Sequence, residues 1–451
     1  MNQLKSFLES YFDLINRKTS ISKEVIAGLT TFSAMSYILI VNPLILSSAG
    51  MDRDSLITAT AISAMVGTLI MALWANLPIA LAAGMGSNVI FASVVVQQVG
   101  ASWQVALTMV FVTGVLFVLL SLSSLREKIM KGFPEEIQLG LQLAIGIFIA
   151  YLGLKNSGLV ISNESTYIAF GNISSPATLL TFIGLILTPV LMVKKIPGAF
   201  LISISALTII GLFIPDSTGA ALTKLPEQII DFPKLSSEQV FAFDFQELWN
   251  KIFVLLPIAI YFFLSDFFST AATLIGATQR GNLIDDEGNI PKARAAFSSD
   301  AIATVVGATL GTSTVTSFIE SVTGIEAGGR TGLTSLVVAI MFFIAMFFWP
   351  IFTIIPAEAT APTLILVGVL MLEGVKNIKS ERPEQTYAPL LTLLMTACTA
   401  DLMIGLSTGC FVYTVIIASN REWKKLTPML LFLNITLIGY IVLNSKLSLG
   451  I

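Results

Sequence analysis

Two acidic residues of this chain lie deep within stretches of apolar or small residues, where ionisable side chains are rare. Asp266 follows Tyr-Phe-Phe-Leu-Ser at 261–265, and Glu320 follows Gly-Thr-Ser-Thr-Val-Thr-Ser-Phe-Ile at 311–319. If these stretches cross a membrane, each carboxylate costs roughly 2.5 to 3.5 kcal/mol unless it is protonated or paired. The two residues therefore predict a site that exchanges protons or binds a polar solute. A neutral carboxyl that serves only helix packing is the alternative interpretation.

The rest of the composition argues against catalysis. The chain contains no histidine and only two cysteines, Cys398 and Cys410, which both lie in apolar segments. A histidine relay, a metal site and a disulfide framework are therefore not expected. Serine and threonine are plentiful, but no base residue accompanies them as a nucleophile would require. We predict that the protein is not an enzyme and holds no cofactor.

The elements that carry the two carboxylates must be membrane spans. The 451-residue chain is 55% hydrophobic and 12% charged, with a mean hydropathy of +0.86, whereas soluble domains contain about 25% charged residues. Apolar stretches such as 105–122, 179–193 and 333–349 are long enough for a helix to cross the hydrocarbon core. No alternation typical of β-strands appears. The sequence predicts an all-α polytopic membrane protein with about fourteen transmembrane segments.

The basic residues indicate how the chain is oriented. Most lysine and arginine residues lie in segments that the predicted topology places on the same side of the membrane as the N-terminus. These segments are 5–23, 194–195, 421–425 and the alternate loops between them. The positive-inside rule therefore places the N-terminus in the cytoplasm of a multi-pass protein of the cell membrane. The segment 3–16 has apolar residues on one face and is expected to lie in the membrane interface. Residues 427–445 either cross the membrane again or lie flat on it.

Two predicted spans are interrupted, and they occupy corresponding places in the two halves of the chain. The third contains Gly-Met-Gly-Ser-Asn at 84–88, the tenth contains the segment 311–321, and both begin with small, helix-poor residues. Non-helical backbone at mid-membrane is tolerated only where it is buried in protein or faces a wet cavity. Paired interruptions in two halves of seven spans, which must be inverted relative to each other, point to the binding site of a transporter. Close helix packing at Gly84 and Gly86 is the alternative.

Other acidic residues fall near the predicted ends of spans, where contact with solvent is the expected role. Asp300 belongs to this group, because the ninth span is predicted at 297–312 and Asp300 would lie in its first turn. The other members are Glu326, Glu358, Glu373 and Asp401.

Several long motifs follow one another along nearly the whole chain. They are residues 31–51, 84–88, 273–276, 311–321, 327–332 and 361–371, together with Asp266 and Thr270. These motifs resemble the nucleobase-cation symporters, in the azaguanine-resistance branch of adenine, guanine and hypoxanthine permeases. The resemblance implies fourteen spans in two inverted sevens, with short unwound or strand-like segments in spans 3 and 10.

The resemblance also implies a core domain of spans 1–4 and 8–11 and a gate domain of spans 5–7 and 12–14. The implied boundaries are 1–23 for a cytoplasmic amphipathic segment, 24–124 and 249–349 for the two parts of the core, 125–215 and 350–451 for the two parts of the gate, and 216–248 for an external loop.

In the family, polar residues of spans three, eight and ten hold the base, and in this chain they are Asn88, Asp266 and Glu320. The Glu320 carboxylate can accept hydrogen bonds from adjacent N–H groups on a purine edge. Asp266 and Glu320 are also expected to exchange the coupling proton. The further candidates for substrate binding are Gly86, Phe91, Thr270, Phe318 and Ser321, and Tyr37 is among the aromatic residues that could stack on the ring.

The expected function is import of a purine nucleobase, which is adenine, guanine or hypoxanthine, by proton symport with an elevator or rocking motion. Sodium is the alternative coupling ion. Ser269 stands where the family usually has a second aspartate, and Val89 and Ile90 stand where an alanine and an aromatic residue are usual. These departures leave the particular base open.

The alternatives are symport of another nucleobase or related heterocycle, exchange of anions by a protein of the same inverted fold, and a passive channel. The expected partners are the purine substrate and the lipid bilayer. No nucleic acid is expected, and a homodimer is a candidate assembly.

Overall fold

The computed structural model describes residues 2–122, 134–163, 167–173, 175–215, 219–226, 228–284 and 290–448. Within these ranges, nine helices are long and apolar enough to cross a membrane. Three further helices and two interrupted segments complete fourteen spans in the expected order. The predicted all-α polytopic fold is therefore confirmed.

We number the spans in chain order. The nine long helices are Ile21–Ser47 (span 1), Arg53–Ala75 (span 2), Trp103–Leu122 (span 4), Glu135–Asn156 (span 5), Pro176–Val193 (span 6), Ile252–Arg280 (span 8), Gly332–Thr353 (span 11), Ala357–Asn377 (span 12) and Leu402–Ser419 (span 14). The three further helices are Ala199–Gly211 (span 7), Ala293–Leu310 (span 9) and Pro383–Thr399 (span 13).

Spans 3 and 10 each combine a short strand with a short helix, as the interruptions in the sequence predicted. Span 3 contains strand β1 (Leu81–Ala83), the helix Met85–Val89 and a wider helical segment, Ile90–Gln98. Span 10 contains strand β4 (Val315–Ser317), followed by the helix Ser321–Glu326. Strands β2 (Val160–Asn163) and β3 (Tyr167–Phe170) form a separate hairpin between spans 5 and 6.

Strands β1 and β4 pair with each other in antiparallel orientation, with Ala82 opposite Thr316. Two further backbone bonds extend the pairing, from Gly84 N to Thr314 O at 2.8 Å and from Phe318 N to Ala80 O at 2.9 Å. These bonds give partners to the backbone N–H and C=O groups of the non-helical segments. Lipid could not provide such partners. The two half-spans therefore meet in the middle of the molecule, one from each half of the chain.

The spans pack in two groups. In the core group, span 4 packs against span 9, span 2 against spans 9 and 11, and span 1 against span 11, while span 8 contacts spans 4, 9 and 10. In the gate group, span 5 packs against spans 12 and 13, spans 6 and 7 against each other and span 12, and span 13 against span 14. The predicted residue boundaries of the two domains stay a prediction. The boundary between residues 124 and 125 lies outside the described residues.

Three elements besides the fourteen numbered spans lie against these groups. The N-terminal helix Asn2–Tyr11 is followed by Phe12 and Leu14, which are buried against Leu333. The loop that precedes span 8 is bonded to the core group, for example from Phe241 N to Thr309 O at 2.8 Å. The final helix is Pro428–Ser448, and it packs against spans 8 and 14.

Candidate functional site

A cavity of about 500 Å³ lies between the core group and the gate group. One wall is formed by the interrupted spans 3 and 10 together with span 8, and the opposite wall by spans 5 and 12. The polar lining residues of the first wall are Ser87, Ser265, Asp266, Ser269, Thr273, Thr316, Ser317 and Glu320, and those of the second wall are Glu135, Gln138 and Gln142. The two predicted carboxylates therefore line the same cavity.

Only one of the two carboxylate oxygens of Asp266 is hydrogen-bonded within the described part of the wall. The residue is 4% exposed, and its Oδ2 atom accepts a hydrogen bond from Thr304 Oγ1 at 3.0 Å. Its Oδ1 atom is buried and has no hydrogen-bond partner among the described residues. A buried carboxylate oxygen without a donor is costly. Asp266 is thus the place in this wall where a proton or a substrate N–H would satisfy an open acceptor.

Glu320 stands three residues after β4, at the start of the helix Ser321–Glu326. Its Oε1 atom accepts a hydrogen bond from the hydroxyl of Tyr37 at 2.6 Å. Glu320 is half-buried and lines the cavity. The broken backbone of span 10 therefore presents this carboxylate to the space between the walls, instead of to lipid.

A third carboxylate, Asp300 of span 9, lies behind the first wall. It is fully buried and accepts hydrogen bonds from Thr270 Oγ1 at 2.7 Å and from Ser317 Oγ at 3.0 Å. Thr270 Oγ1 also lies 3.0 Å from Thr316 Oγ1 on the cavity wall. Buried hydroxyl groups thus connect Asp300 to the wall that carries Asp266.

The solvated role predicted for Asp300 is wrong. It is also wrong for Asp401, which is buried and caps the start of span 14. Span 9 begins at Ala293, four residues before the predicted start, so Asp300 lies two turns inside the helix. Hydrophobicity alone misplaced the helix start, because the first turn of span 9 contains the small and basic residues Ala-Arg-Ala-Ala at 293–296. The sequence did contain a signal, because small residues flank Asp300. Small residues within a span indicate a close contact between helices, which would bury the carboxylate.

Asn88 lies outside the cavity lining, although it belongs to span 3. Its side chain is fully buried, where Nδ2 donates to Asn42 Oδ1 at 2.6 Å and Oδ1 accepts from Ser313 Oγ. Asn42 in turn donates to Thr60 Oγ1 and Thr312 Oγ1. Both ends of the Asn88 amide are occupied by this network. In this conformation the amide ties spans 1, 3 and 10 together.

The other sequence candidates divide into wall residues and supporting residues. Gly86 and Phe318 line the cavity. Phe91 is fully buried and Thr270 bonds Asp300, so both lie behind the wall. Ser321 Oγ accepts a hydrogen bond from Ala80 N at 3.0 Å and fastens span 10 to span 3. The gate residues Gln138 and Gln142 were not predicted, because no polarity pattern distinguishes them from other residues of span 5.

The described residues contain no group of three histidine, cysteine, aspartate or glutamate side chains arranged to hold a metal ion. The polar groups that line the cavity are carboxylates, hydroxyls and amides, which accept and donate hydrogen bonds.

The family model Xan_ur_permease, described as a permease family, matches residues 22–410 of this chain. The chain belongs to this permease family. It is 38% identical to the guanine/hypoxanthine permease PbuO of Bacillus subtilis over 93% of this chain and 97% of PbuO. It is 36% identical to the adenine permease AdeQ of Escherichia coli over 93% of this chain and 92% of AdeQ. The resemblance found in the sequence is confirmed, and the chain is a membrane transporter and not an enzyme.

Solved transporter structures share the fold at much lower identity. The transmembrane domain of the cyanobacterial bicarbonate transporter BicA aligns with a TM-score of 0.64 and 17% identity over 86% of this chain and 96% of that domain. The structure of SLC26A9 aligns with a TM-score of 0.64 and 14% identity over 93% of this chain and 69% of that protein. The fold of this permease is therefore the inverted-repeat fold of these transporters.

Proposed function

We propose that this permease imports purine nucleobases together with protons across the cell membrane. The observation that carries the proposal is the pair of carboxylates, Asp266 and Glu320, on one wall of a cavity between the core and gate groups. The names of the relatives support the substrate class, since they include guanine/hypoxanthine and adenine permeases that cover nearly the whole chain.

The cavity has the chemistry that a purine requires. A purine edge offers N–H donors, and each hydrogen bond from such a donor to a carboxylate is worth on the order of 1.5–3 kcal/mol. Glu320 presents a carboxylate at the cavity wall, and the neighbouring Phe318 offers an apolar aromatic surface for a flat ring. Hydroxyls such as Ser87 and Ser269 can both donate and accept.

The way in which Asp266 is held supports proton coupling. A carboxylate out of water costs free energy until it is protonated or hydrogen-bonded, and one oxygen of Asp266 has no donor among the described side chains. A proton bound at Asp266 while the base occupies Glu320 would lower the charge of the site before it crosses the membrane. In this mechanism the core group carries the loaded site past the gate group in an elevator or rocking motion.

Anion exchange, one of the alternatives from the sequence, is not favoured by this cavity. Asp266 and Glu320 would repel an anion from the wall that they line. The identity to the bicarbonate transporter BicA is also only 17%. The shared fold is therefore no reason to assign the substrate of BicA to this permease.

The test is uptake of radiolabelled hypoxanthine, guanine and adenine into proteoliposomes, with and without an inward proton gradient. We expect gradient-driven accumulation by the unmodified protein and none by Asp266→Asn or Glu320→Gln. Glu373→Gln is the control, because Glu373 is an exposed carboxylate paired with Lys376 outside the cavity. Full accumulation by both site variants would refute the site, and accumulation driven only by a sodium gradient would refute proton coupling.

A further inference from the structure

Tyr37 lies at a short interruption of the α-helix in span 1, beside the cavity. The two helical parts of this span are Ile21–Met35 and Ile38–Ser47, and Ser36 and Tyr37 form the turn between them. The side chain of Tyr37 is 1% exposed and lines the cavity. A departure from regular α-helix within a span often marks a functional position.

The hydroxyl of Tyr37 donates to Glu320 Oε1 at 2.6 Å, between residues that are 283 positions apart in the chain. Short O–H···O bonds of this kind to a carboxylate are among the stronger hydrogen bonds in proteins. This bond fixes one oxygen of Glu320. The carboxylate can then turn less freely, and its orientation toward the cavity is set before a substrate arrives.

The ring of Tyr37 reaches the gate group. Its centroid lies 5.2 Å from that of Phe200 in span 7, at an interplanar angle of 59°. One helical turn earlier on span 1, Ser33 packs against Gly198, where an added Cβ would lie 3.2 Å from the Ser33 Cβ and carbonyl oxygen. Span 1 therefore contacts the start of span 7 at two successive turns. Tyr37 thus joins a carboxylate of the core group to an aromatic residue of the gate group.

We propose that Tyr37 is a positioning residue that orients the Glu320 carboxylate through its hydroxyl and connects that carboxylate to the gate group through its ring. The proposal rests on the proposed function, because it assigns Glu320 to the substrate. Loss of the hydroxyl weakens substrate binding, and loss of the ring contact slows the movement between core and gate. The two halves of the role are therefore separable by substitution.

The hydroxyl is tested with Tyr37→Phe, which keeps the ring. We expect the Kd for hypoxanthine, or for guanine or adenine if the unmodified protein prefers it, to rise at least about tenfold, as loss of a hydrogen bond to a charged group predicts. Tyr440→Phe is the matched control, because Tyr440 is also fully buried and its hydroxyl has no partner among the described residues. A Kd for Tyr37→Phe within about twofold of the unmodified protein would refute the orienting role.

The ring contact is tested with Phe200→Leu, which leaves the bond between Tyr37 and Glu320 in place. We expect the maximal rate of uptake to fall at least about fivefold while the Kd stays within about twofold. This split between rate and affinity distinguishes coupling to the gate from a general loss of structure. An unchanged maximal rate would refute the connection to the gate group, whatever the result for Tyr37→Phe.

A measurement without substrate separates failure of this proposal from failure of the proposed function. Thermal unfolding is followed in detergent for Tyr37→Phe, Glu320→Gln and the double variant. We expect the double variant to lose less stability than the two single variants combined, because both single variants disrupt the same bond. Additive losses would refute the contact itself. Purine binding by the unmodified protein tests the proposed function independently.

Discussion

At the scale of single residues, the site is distinguished by the number of hydroxyls that hold its acidic side chains. Thr304 donates to Asp266, Tyr37 donates to Glu320, and Thr270 and Ser317 both donate to Asp300. Each hydroxyl leaves the carboxylate free to lose or gain a proton, whereas a lysine or arginine partner would hold it ionised. This arrangement suits side chains that change protonation during a transport cycle.

Asp300 is expected to take part in proton coupling, because buried hydroxyls join it to the cavity wall that carries Asp266. A gradient of one pH unit is worth about 1.4 kcal/mol per proton, or a factor of about ten in accumulation for one proton per base. In Asp300→Asn we expect the accumulation ratio to fall from about ten toward about one. Exchange of internal for external base should persist, since Glu320 is unchanged.

The matched control for Asp300→Asn is Asp401→Asn. Asp401 is also a buried aspartate, but it caps the start of span 14 by accepting from Met403 N and Ile404 N. Asparagine caps helices as well as aspartate does, so this variant should transport normally. Equal accumulation by Asp300→Asn and the unmodified protein would show that Asp300 has only a structural role.

At the scale of elements, the gate helices pack through glycine. A Cβ added at Gly368 of span 12 would lie 2.4 Å from the carbonyl oxygen of Gly146 in span 5, and one added at Gly146 would lie 2.8 Å from the carbonyl oxygen of Gly368. The two backbones therefore touch directly. Membrane helices lack a hydrophobic force between them and depend on such close packing.

Gly368→Ala is expected to destabilise the protein by about 1–3 kcal/mol, because its methyl group would overlap backbone that cannot turn aside. Thermal unfolding in detergent measures the effect. Gly439→Ala is the control, since Gly439 lies in the helix Pro428–Ser448 and an added Cβ there would meet nothing within 4 Å. If the two variants unfold at the same temperature, the close contact between spans 5 and 12 does not contribute to stability.

At the scale of the whole molecule, the cavity extends toward one side of the membrane. Its lining reaches Glu135, an exposed residue at the first turn of span 5 that pairs with Lys379 after span 12. The distribution of basic residues predicts that this side faces the cytoplasm. We therefore expect that the structure shows the inward-facing state, in which the core group has delivered its site to the cell interior.

Cysteine labelling tests this direction. In a Cys398→Ser background, Ser269→Cys places a thiol on the cavity wall, one turn from Asp266. An impermeant thiol reagent should label it in inside-out vesicles, and a transported purine should protect it at least about fivefold. Ser237→Cys, at an exposed position of the loop that is predicted to be external, is the control and should label only in right-side-out vesicles. Labelling of Ser269→Cys only from the external side would contradict the inward-facing assignment.

The sequence by itself determined the membrane fold and the two places where it breaks. The length of an apolar stretch and the need to satisfy backbone groups in lipid act locally along the chain, so they can be read without knowing the neighbours. Small residues before Asn88 and before Glu320 marked the strands β1 and β4 for this reason. The rarity of acidic residues in such surroundings also singled out Asp266 and Glu320.

Only the tertiary structure decided which polar side chains face the cavity. Asn88 and Ser313 are 225 positions apart, and their bond turns the Asn88 amide away from the space between the walls. The bond from Tyr37 to Glu320 and the burial of Asp300 likewise depend on how distant spans pack. The periodicity of a helix shows which residues share a face, but the element that covers this face is set by packing against residues from elsewhere in the chain.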